Sequence, residues 1–124
     1  MPAKRVLSVG QCFADHNSIA RVIRQHFDAE VVPAETADEA LALLREQPFD
    51  LVLVNRVLEG DTTSGVDLVA QVKGDEALRG VPVMLVSNHD EPQREAVARG
   101  ALPGFGKAAL GHPQTASRLR TVLG

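Results

Sequence analysis

Side chains that could take part in chemistry follow directly after the aliphatic runs of this 124-residue sequence. Asn55 ends DLVLVN, Ser87 ends VPVMLVS and Lys107 ends PGFGK, whereas Gly10 and Gln11 follow RVLSV. An ammonium group beside a hydroxyl group and helix N-termini attracts anions. An amide is a poor nucleophile at neutral pH, so Asn55 offers no route to covalent catalysis. These residue types favour a pocket that weakly binds sulfate, phosphate or a carboxylate, and they do not predict an enzyme.

The charge around Lys107 decides whether that pocket is open. The other strand-end residues are neutral, which would leave the ammonium group available to an external anion. Alternatively, Asp15, Glu59 or Asp61 folds over from a flanking loop and pairs with Lys107, because loop carboxylates readily find a cation. The sequence leaves both arrangements open.

The elements that must position these residues follow from the apolar pattern. Aliphatic runs at 5–9, 30–32, 50–54 and 81–87, with a weaker one at 103–107, are typical of strands covered on both faces. Apolar residues with helical spacing fill the intervals. They are Ile19, Val22, Ile23 and Phe27; Ala37, Ala40, Leu41 and Leu44; Leu68, Val69 and Val72 within 65–74; and Ala116, Leu119 and Leu123, with a weaker helix at 90–99. This alternation predicts one α/β domain over residues 1–124, a doubly wound five-stranded parallel sheet with five helices in three α/β/α layers.

Capping signals refine the helix starts. Thr36 with Glu39 indicates a capping box, Asp15 or Ser18 is expected to open the first helix, and Pro113 fits a first helical turn. In a doubly wound sheet, ligands gather at the carboxyl ends of the strands. The strand-end residues are therefore expected to meet at one edge.

Composition excludes several functional classes. The net charge of −3 comes from interspersed charges with no basic block, so direct nucleic-acid binding is not expected. The single Cys12 excludes an internal disulfide, and no apolar run has the length of a membrane span or signal-peptide core. A cytoplasmic protein without membrane contact is the simplest interpretation.

Other local motifs do not develop into sites. Cys12, Asp15 and His16 are close together, but the remaining histidines are scattered, so neither a metal centre nor a redox centre is predicted. GFGKA lacks the first glycine and the hydroxyl residue of a phosphate-binding loop. Ser87 and His89 lack an acid placed to orient the imidazole, which argues against a catalytic triad.

The order and spacing of three segments resemble the receiver domains of bacterial response regulators. The segments are DLVLVN followed by a loop and SGVDLVAQVK, then VPVMLVSNHDE, then ARGALPGFGK, and the similarity covers essentially the whole chain. The resemblance implies a flavodoxin-like fold. It also implies a Mg²⁺ site built from two acids after the first strand and an Asp phosphoryl acceptor at the tip of the third. A hydroxyl residue and a Lys would contact the phosphoryl oxygens.

Residue by residue, the match is partial. Ser87 and Lys107 keep the last two positions, but Gly10 and Gln11 replace the acids and Asn55 replaces the acceptor. Mg²⁺ is held mainly by carboxylates, so no cofactor is expected and acyl-phosphate formation at Asn55 is not expected. Asn55 would instead hydrogen-bond loop backbone. Gly104 stands where the resemblance implies a mobile aromatic switch residue.

These departures predict a pseudo-receiver that acts in signal transduction through protein–protein contacts without being phosphorylated. Protein partners or a homodimer would use the face of the fourth helix, fifth strand and fifth helix, which carries EPQREAVARGALPGF and TASRLRTVLG. One alternative is a conventional phosphorelay receiver phosphorylated at another carboxylate, Asp61 or Asp15. Another is a sensor that binds a small anion or ligand in the former phosphorylation pocket.

Overall fold

The computed structural model describes residues 3–124, in which strands and helices alternate along the chain. Each strand leads into a helix, and a short 3₁₀ turn, Lys107–Ala109, precedes the last one. The strands are β1 Lys4–Val9, β2 Ala29–Ala34, β3 Leu51–Asn55, β4 Val83–Val86 and β5 Leu102–Phe105; the helices are α1 Phe13–His26, α2 Ala37–Glu46, α3 Gly65–Gly74, α4 Asp90–Ala98 and α5 Pro113–Leu123.

The strands form one parallel sheet in the order β2-β1-β3-β4-β5. This is the flavodoxin-like order, and it confirms the predicted fold class. The strand order reverses between β1 and β3, so the crevice at their carboxyl ends is the expected place for a site. The connections after β1, β3, β4 and β5 all open onto that edge.

Two apolar layers hold the helices on the sheet. Leu7 and Val9 pack in a cluster with residues of α2, α3 and α4, whereas Val6 packs on the opposite face with residues of α1 and α5. Every residue from Leu51 to Val54 and from Val83 to Val86 is buried, as expected of central strands covered on both faces. Within the predicted helical stripes, Ile19, Leu44 and Leu119 are buried in these layers, whereas other stripe residues are half-buried, namely Val22, Phe27, Leu41 and Ala116.

Helix starts agree with the sequence at two positions and differ at one. The Thr36 hydroxyl accepts a hydrogen bond from the Glu39 amide at 3.1 Å, and Pro113 occupies the first turn of α5. Neither Asp15 nor Ser18 opens α1, so that prediction is wrong. The helix begins at Phe13 with Cys12 at the N-cap, which places Asp15 within its first turn.

Element ends also differ slightly from prediction. β5 ends at Phe105, so Lys107 lies in the 3₁₀ turn and not in a strand. β4 ends at Val86, which leaves Ser87 as the first residue of the following loop. Within the described residues, the structure has no helix combining the length and apolar character needed to cross a bilayer.

Candidate functional site

A cleft of about 360 Å³ lies at the carboxyl edge of the sheet, where three strand ends meet. Asn55 from the end of β3, Ser87 after β4 and Lys107 after β5 line it, together with residues of the β3–α3 and β4–α4 loops. The structure therefore brings together three of the five predicted site residues. Gly10 and Gln11 do not belong to the walls of this cleft.

Gly10 cannot carry the acid that the resemblance implies. Its φ angle is +74°, in the left-handed region that favours glycine. A Cβ atom added there would lie 2.5 Å from Leu58 Cγ and 2.7 Å from Leu58 Cα. Leu58 is fully buried, and the amide of Glu59 donates to the Gly10 carbonyl at 3.0 Å. The β3–α3 loop thus packs an apolar side chain directly over the position where a metal-binding carboxylate would begin.

Gln11 is buried as well, with 9% of its surface exposed. Neither its amide nitrogen nor its amide oxygen has a hydrogen-bond partner among residues 3–124. Gln11 does not line the cleft that Asn55, Ser87 and Lys107 share. Its assignment as a neutral group at the pocket stays a prediction.

The Asn55 side chain fastens the β3–α3 loop. Its Nδ2 group donates to the Gly10 carbonyl at 3.1 Å and to the Val57 carbonyl at 2.8 Å. Both partners are acceptors, so only an NH₂ group can satisfy them. A carboxylate in this place would face two carbonyl oxygens without a proton to share. Asn55 thus hydrogen-bonds backbone carbonyls at the β3–α3 loop, as the sequence predicts.

Lys107 has a charged partner, so the structure shows the second of the two arrangements that the sequence leaves open, in which a nearby carboxylate pairs with Lys107. Its Nζ atom lies 2.6 Å from Asp15 Oδ2, and each side chain is about one third exposed. The hydrogen bond from Lys107 lowers the pKa of the Asp15 carboxyl below its ordinary value of 3.8, and a hydrogen bond from Cys12 acts in the same direction. Burial opposes this lowering. Of the three acids considered from the sequence, Asp15 is the one that pairs with Lys107.

The other two acids have different surroundings. Asp61 accepts hydrogen bonds from the amides of Ala37 and Thr63, each at 3.0 Å, and these bonds lower the pKa of its carboxyl. Asp61 therefore anchors the β3–α3 loop to the first turn of α2. Glu59 lines the cleft, and within the described residues it makes no ion pair.

Ser87 and Asn88 tie the β4–α4 loop to its surroundings. The buried Ser87 hydroxyl accepts a hydrogen bond from the His89 amide at 3.2 Å. The Asn88 Oδ1 atom accepts one from the Ala108 amide at 3.0 Å, which joins the loop after β4 to the turn after β5. These two hydrogen bonds therefore fix the β4–α4 loop, which carries Ser87.

Gln93 has a role that the sequence did not reveal. Met84 pairs with Leu102 but Val86 pairs with Phe105, so β5 contains one residue more than β4 over this interval. Gln93, on α4, inserts its amide beside this irregularity. Its Nε2 atom donates to the carbonyls of Leu85 at 2.9 Å and Ser87 at 3.1 Å. Pro103 beside Gly104 was the available signal, because proline and glycine in a strand mark a bulge.

Gly104 leaves no space for a switch residue. A Cβ atom there would lie 2.0 Å from the Leu85 carbonyl oxygen, so the backbone of β5 needs glycine at this point. The Gly104 amide donates to Gln93 Oε1 at 3.3 Å, and Arg118 donates to the Gly104 carbonyl. These contacts lock α4, β5 and α5 together where the resemblance implies a moving aromatic ring.

Comparisons with known proteins agree with this fold. A family model described as the response regulator receiver domain matches residues 12–105, a range that omits Gly10, Gln11 and Lys107. The chain is 26% identical over 113 residues to chemotaxis protein CheY-3 of Vibrio cholerae serotype O1, covering 88% of this chain and 83% of that protein. A response regulator from Thermotoga maritima superimposes with a TM-score of 0.78 at 19% identity over 98% of both chains. NtrX from Brucella abortus gives 0.74 at 27% identity, covering 98% of this chain and 26% of that one.

The geometry predicts that Asn55→Asp destabilises the fold. The carboxylate loses both donated hydrogen bonds and places negative charge against two carbonyl oxygens, so the free energy of unfolding should fall by about 2 kcal/mol. Urea unfolding at neutral pH measures the change. Asn88→Asp is the matched control, because Asn88 uses its oxygen and a carboxylate keeps that acceptor. Equal stability of the two variants would contradict the assigned role of the Asn55 amide.

The ion pair predicts a pH-dependent effect of Asp15→Asn. Because the folded-state pKa of Asp15 is lowered, its stabilisation is present above the ordinary value of 3.8 and is lost as pH falls through the folded-state value. The exposed pair should contribute between a few tenths and about 1 kcal/mol at neutral pH. Urea unfolding should show this difference near pH 7, and the difference should shrink as the pH falls below the ordinary value of 3.8. A difference that grows on acidification would contradict the pairing.

Proposed function

We propose that this chain, which belongs to the family of response regulator receiver domains, signals through protein contacts without accepting a phosphoryl group. Receiver domains serve two-component signalling as regulatory domains. In this mode of action the phosphorylation step is absent, and the folded surface itself carries the signal.

The hydrogen bonding of Asn55 is the observation that carries this proposal. A phosphoryl acceptor needs an accessible nucleophilic oxygen, and the amide of Asn55 turns its NH₂ group toward two backbone carbonyls. Phosphoryl transfer also needs cations that neutralise the developing charge. Leu58 fills the space over Gly10, and Gln11 offers only a neutral amide, so these positions do not supply the carboxylate ligands that Mg²⁺ prefers.

The fixed loops support the same mode of action. A switch requires an element with two discrete arrangements whose balance a modification can shift. Here Asn88 joins the β4–α4 loop to Ala108, and Gln93 joins α4 to both β4 and β5. A domain held in one arrangement is suited to constitutive binding.

Asp15 favours a second candidate function, a receiver phosphorylated at a different carboxylate. This side chain is the acid that approaches Lys107, the Lys retained from the family pattern. Asp61, the other acid considered, is a weaker candidate because its two carboxylate oxygens already accept backbone hydrogen bonds.

Intact mass spectrometry after incubation with acetyl phosphate and Mg²⁺ separates the two functions. The proposal predicts no species heavier by about 80 Da, the mass of one phosphoryl group. A receiver that retains its acceptor Asp, treated in parallel, confirms that the reagent is active. Phosphorylation that disappears in Asp15→Asn would establish the second candidate, and modification at any other residue would also contradict the proposal.

We propose that the face of α4, β5 and α5 binds a second copy of the chain. A groove of about 320 Å³ lies on this face, with Val97, Pro103 and Arg118 among its walls. Val97 and Leu102 are 43% and 38% exposed. Arg94 and Asp90 also line the groove, so the surface carries both signs of charge. A two-fold interface must be complementary to itself, and mixed charges around an apolar centre meet that requirement.

The dimer proposal predicts that Val97→Asp yields a monomer. A charge placed in the apolar centre of an interface of about 800 Å² per partner loses burial and repels its symmetry mate. Analytical ultracentrifugation over a concentration series measures the association. Phe13→Asp is the matched control, since Phe13 is 83% exposed at the start of α1 and lies outside this face. A monomeric parent chain, or dissociation in both variants, would contradict the proposed surface.

A further inference from the structure

We propose that Asp15 is a built-in anion for Lys107, and that the adjoining cleft is a latent site for small tetrahedral oxyanions, which opens when this carboxylate is displaced or neutralised. The binding is non-covalent and needs no metal ion. The inference goes beyond the proposed signalling mode, because it concerns an equilibrium between an internal and an external anion at one ammonium group.

The internal anion comes from a different part of the fold than the cation. Asp15 lies in the first turn of α1, whereas Lys107 follows β5, and their charged atoms are 2.6 Å apart. About one third of each side chain is exposed, so water and ions reach the pair. A pair this exposed is held weakly, and an external anion at sufficient concentration can compete for Lys107.

The cleft beside Lys107 carries further groups suited to an oxyanion. Ser87 accepts a hydrogen bond from the His89 amide, and its own hydroxyl hydrogen remains to be donated. Arg56, an exposed cation, lines the same cleft. The N-terminus of α4 begins at Asp90, and His89 at its N-cap makes no side-chain capping hydrogen bond. Asp90 and Glu91 in the first turn of α4 offset the positive end of this helix, so the two cations and the Ser87 hydroxyl carry the attraction.

Acidic groups balance this attraction in the parent chain. Asp15 neutralises Lys107 directly, and Glu59 places a second negative charge on the cleft wall. With Asp15 ionised, an entering phosphate must replace an existing ion pair and approach a carboxylate of its own sign. The parent chain should therefore bind phosphate weakly, and loss of the Asp15 charge should strengthen binding more than loss of the Glu59 charge.

Titration with inorganic phosphate at constant ionic strength and neutral pH tests the inference. Amide NMR of the parent chain and of Asp15→Asn reports binding through shifts around Ser87 and Lys107, and it also shows that each variant is folded. We expect Asp15→Asn to bind phosphate about five- to tenfold more tightly than the parent chain. Sulfate should compete at the same site, because it has the same tetrahedral shape.

Two further variants test whether tighter phosphate binding comes from the release of Lys107 or only from the loss of negative charge in the cleft. Glu59→Gln removes one negative charge from the same cleft without breaking the Lys107 pair, so it should strengthen binding less than Asp15→Asn. Asp15→Asn combined with Lys107→Gln should lose the gained affinity. Equal binding by the parent chain and Asp15→Asn, equal gains from both single variants, or retained binding by the double variant would overturn the inference. Recovery of the unmodified mass after dialysis would separate this reversible binding from phosphorylation.

Discussion

The two hydrogen bonds that Asn55 donates to the carbonyls of Gly10 and Val57 are the constraint on which this edge of the sheet depends. They hold the β3–α3 loop against the end of β1, and in that position Leu58 packs over Gly10. The amide therefore does more than remove a nucleophile. It fixes a loop whose apolar residue occupies the space where acidic side chains would gather around a metal ion.

Side-chain amides have the same effect at the neighbouring loops. Asn88 accepts from the turn after β5, and Gln93 satisfies backbone groups left by the irregular pairing of β4 with β5. A buried backbone group without a partner is costly, so these amides stabilise one arrangement of the edge and disfavour others. Charged groups that exchange partners on modification would allow movement, whereas neutral amides bound to backbone resist it.

The remaining charges are balanced within the chain. Lys107 is about one third exposed, and Asp15 supplies its counter-ion from α1. The same contact links the first turn of α1 to the turn after β5, whereas Asn55 links the end of β1 to the loop after β3. These contacts join the strand ends at positions where the resemblance implies acidic side chains.

The sequence by itself determined the fold class, because unalternating aliphatic runs and helical stripes are local properties that each element displays independently of the others. It also predicted the backbone-binding role of Asn55, since Asn side chains in loops often hydrogen-bond nearby backbone. The tertiary structure decided which acid meets Lys107, because Asp15, Glu59 and Asp61 are equivalent as loop carboxylates until the chain brings them to measured distances. It likewise decided that Leu58 covers Gly10, that the buried Gln11 amide has no hydrogen-bond partner among residues 3–124 and that Gln93 bridges two strands. Each of these depends on contacts between residues far apart in sequence, and local patterns do not encode such distances.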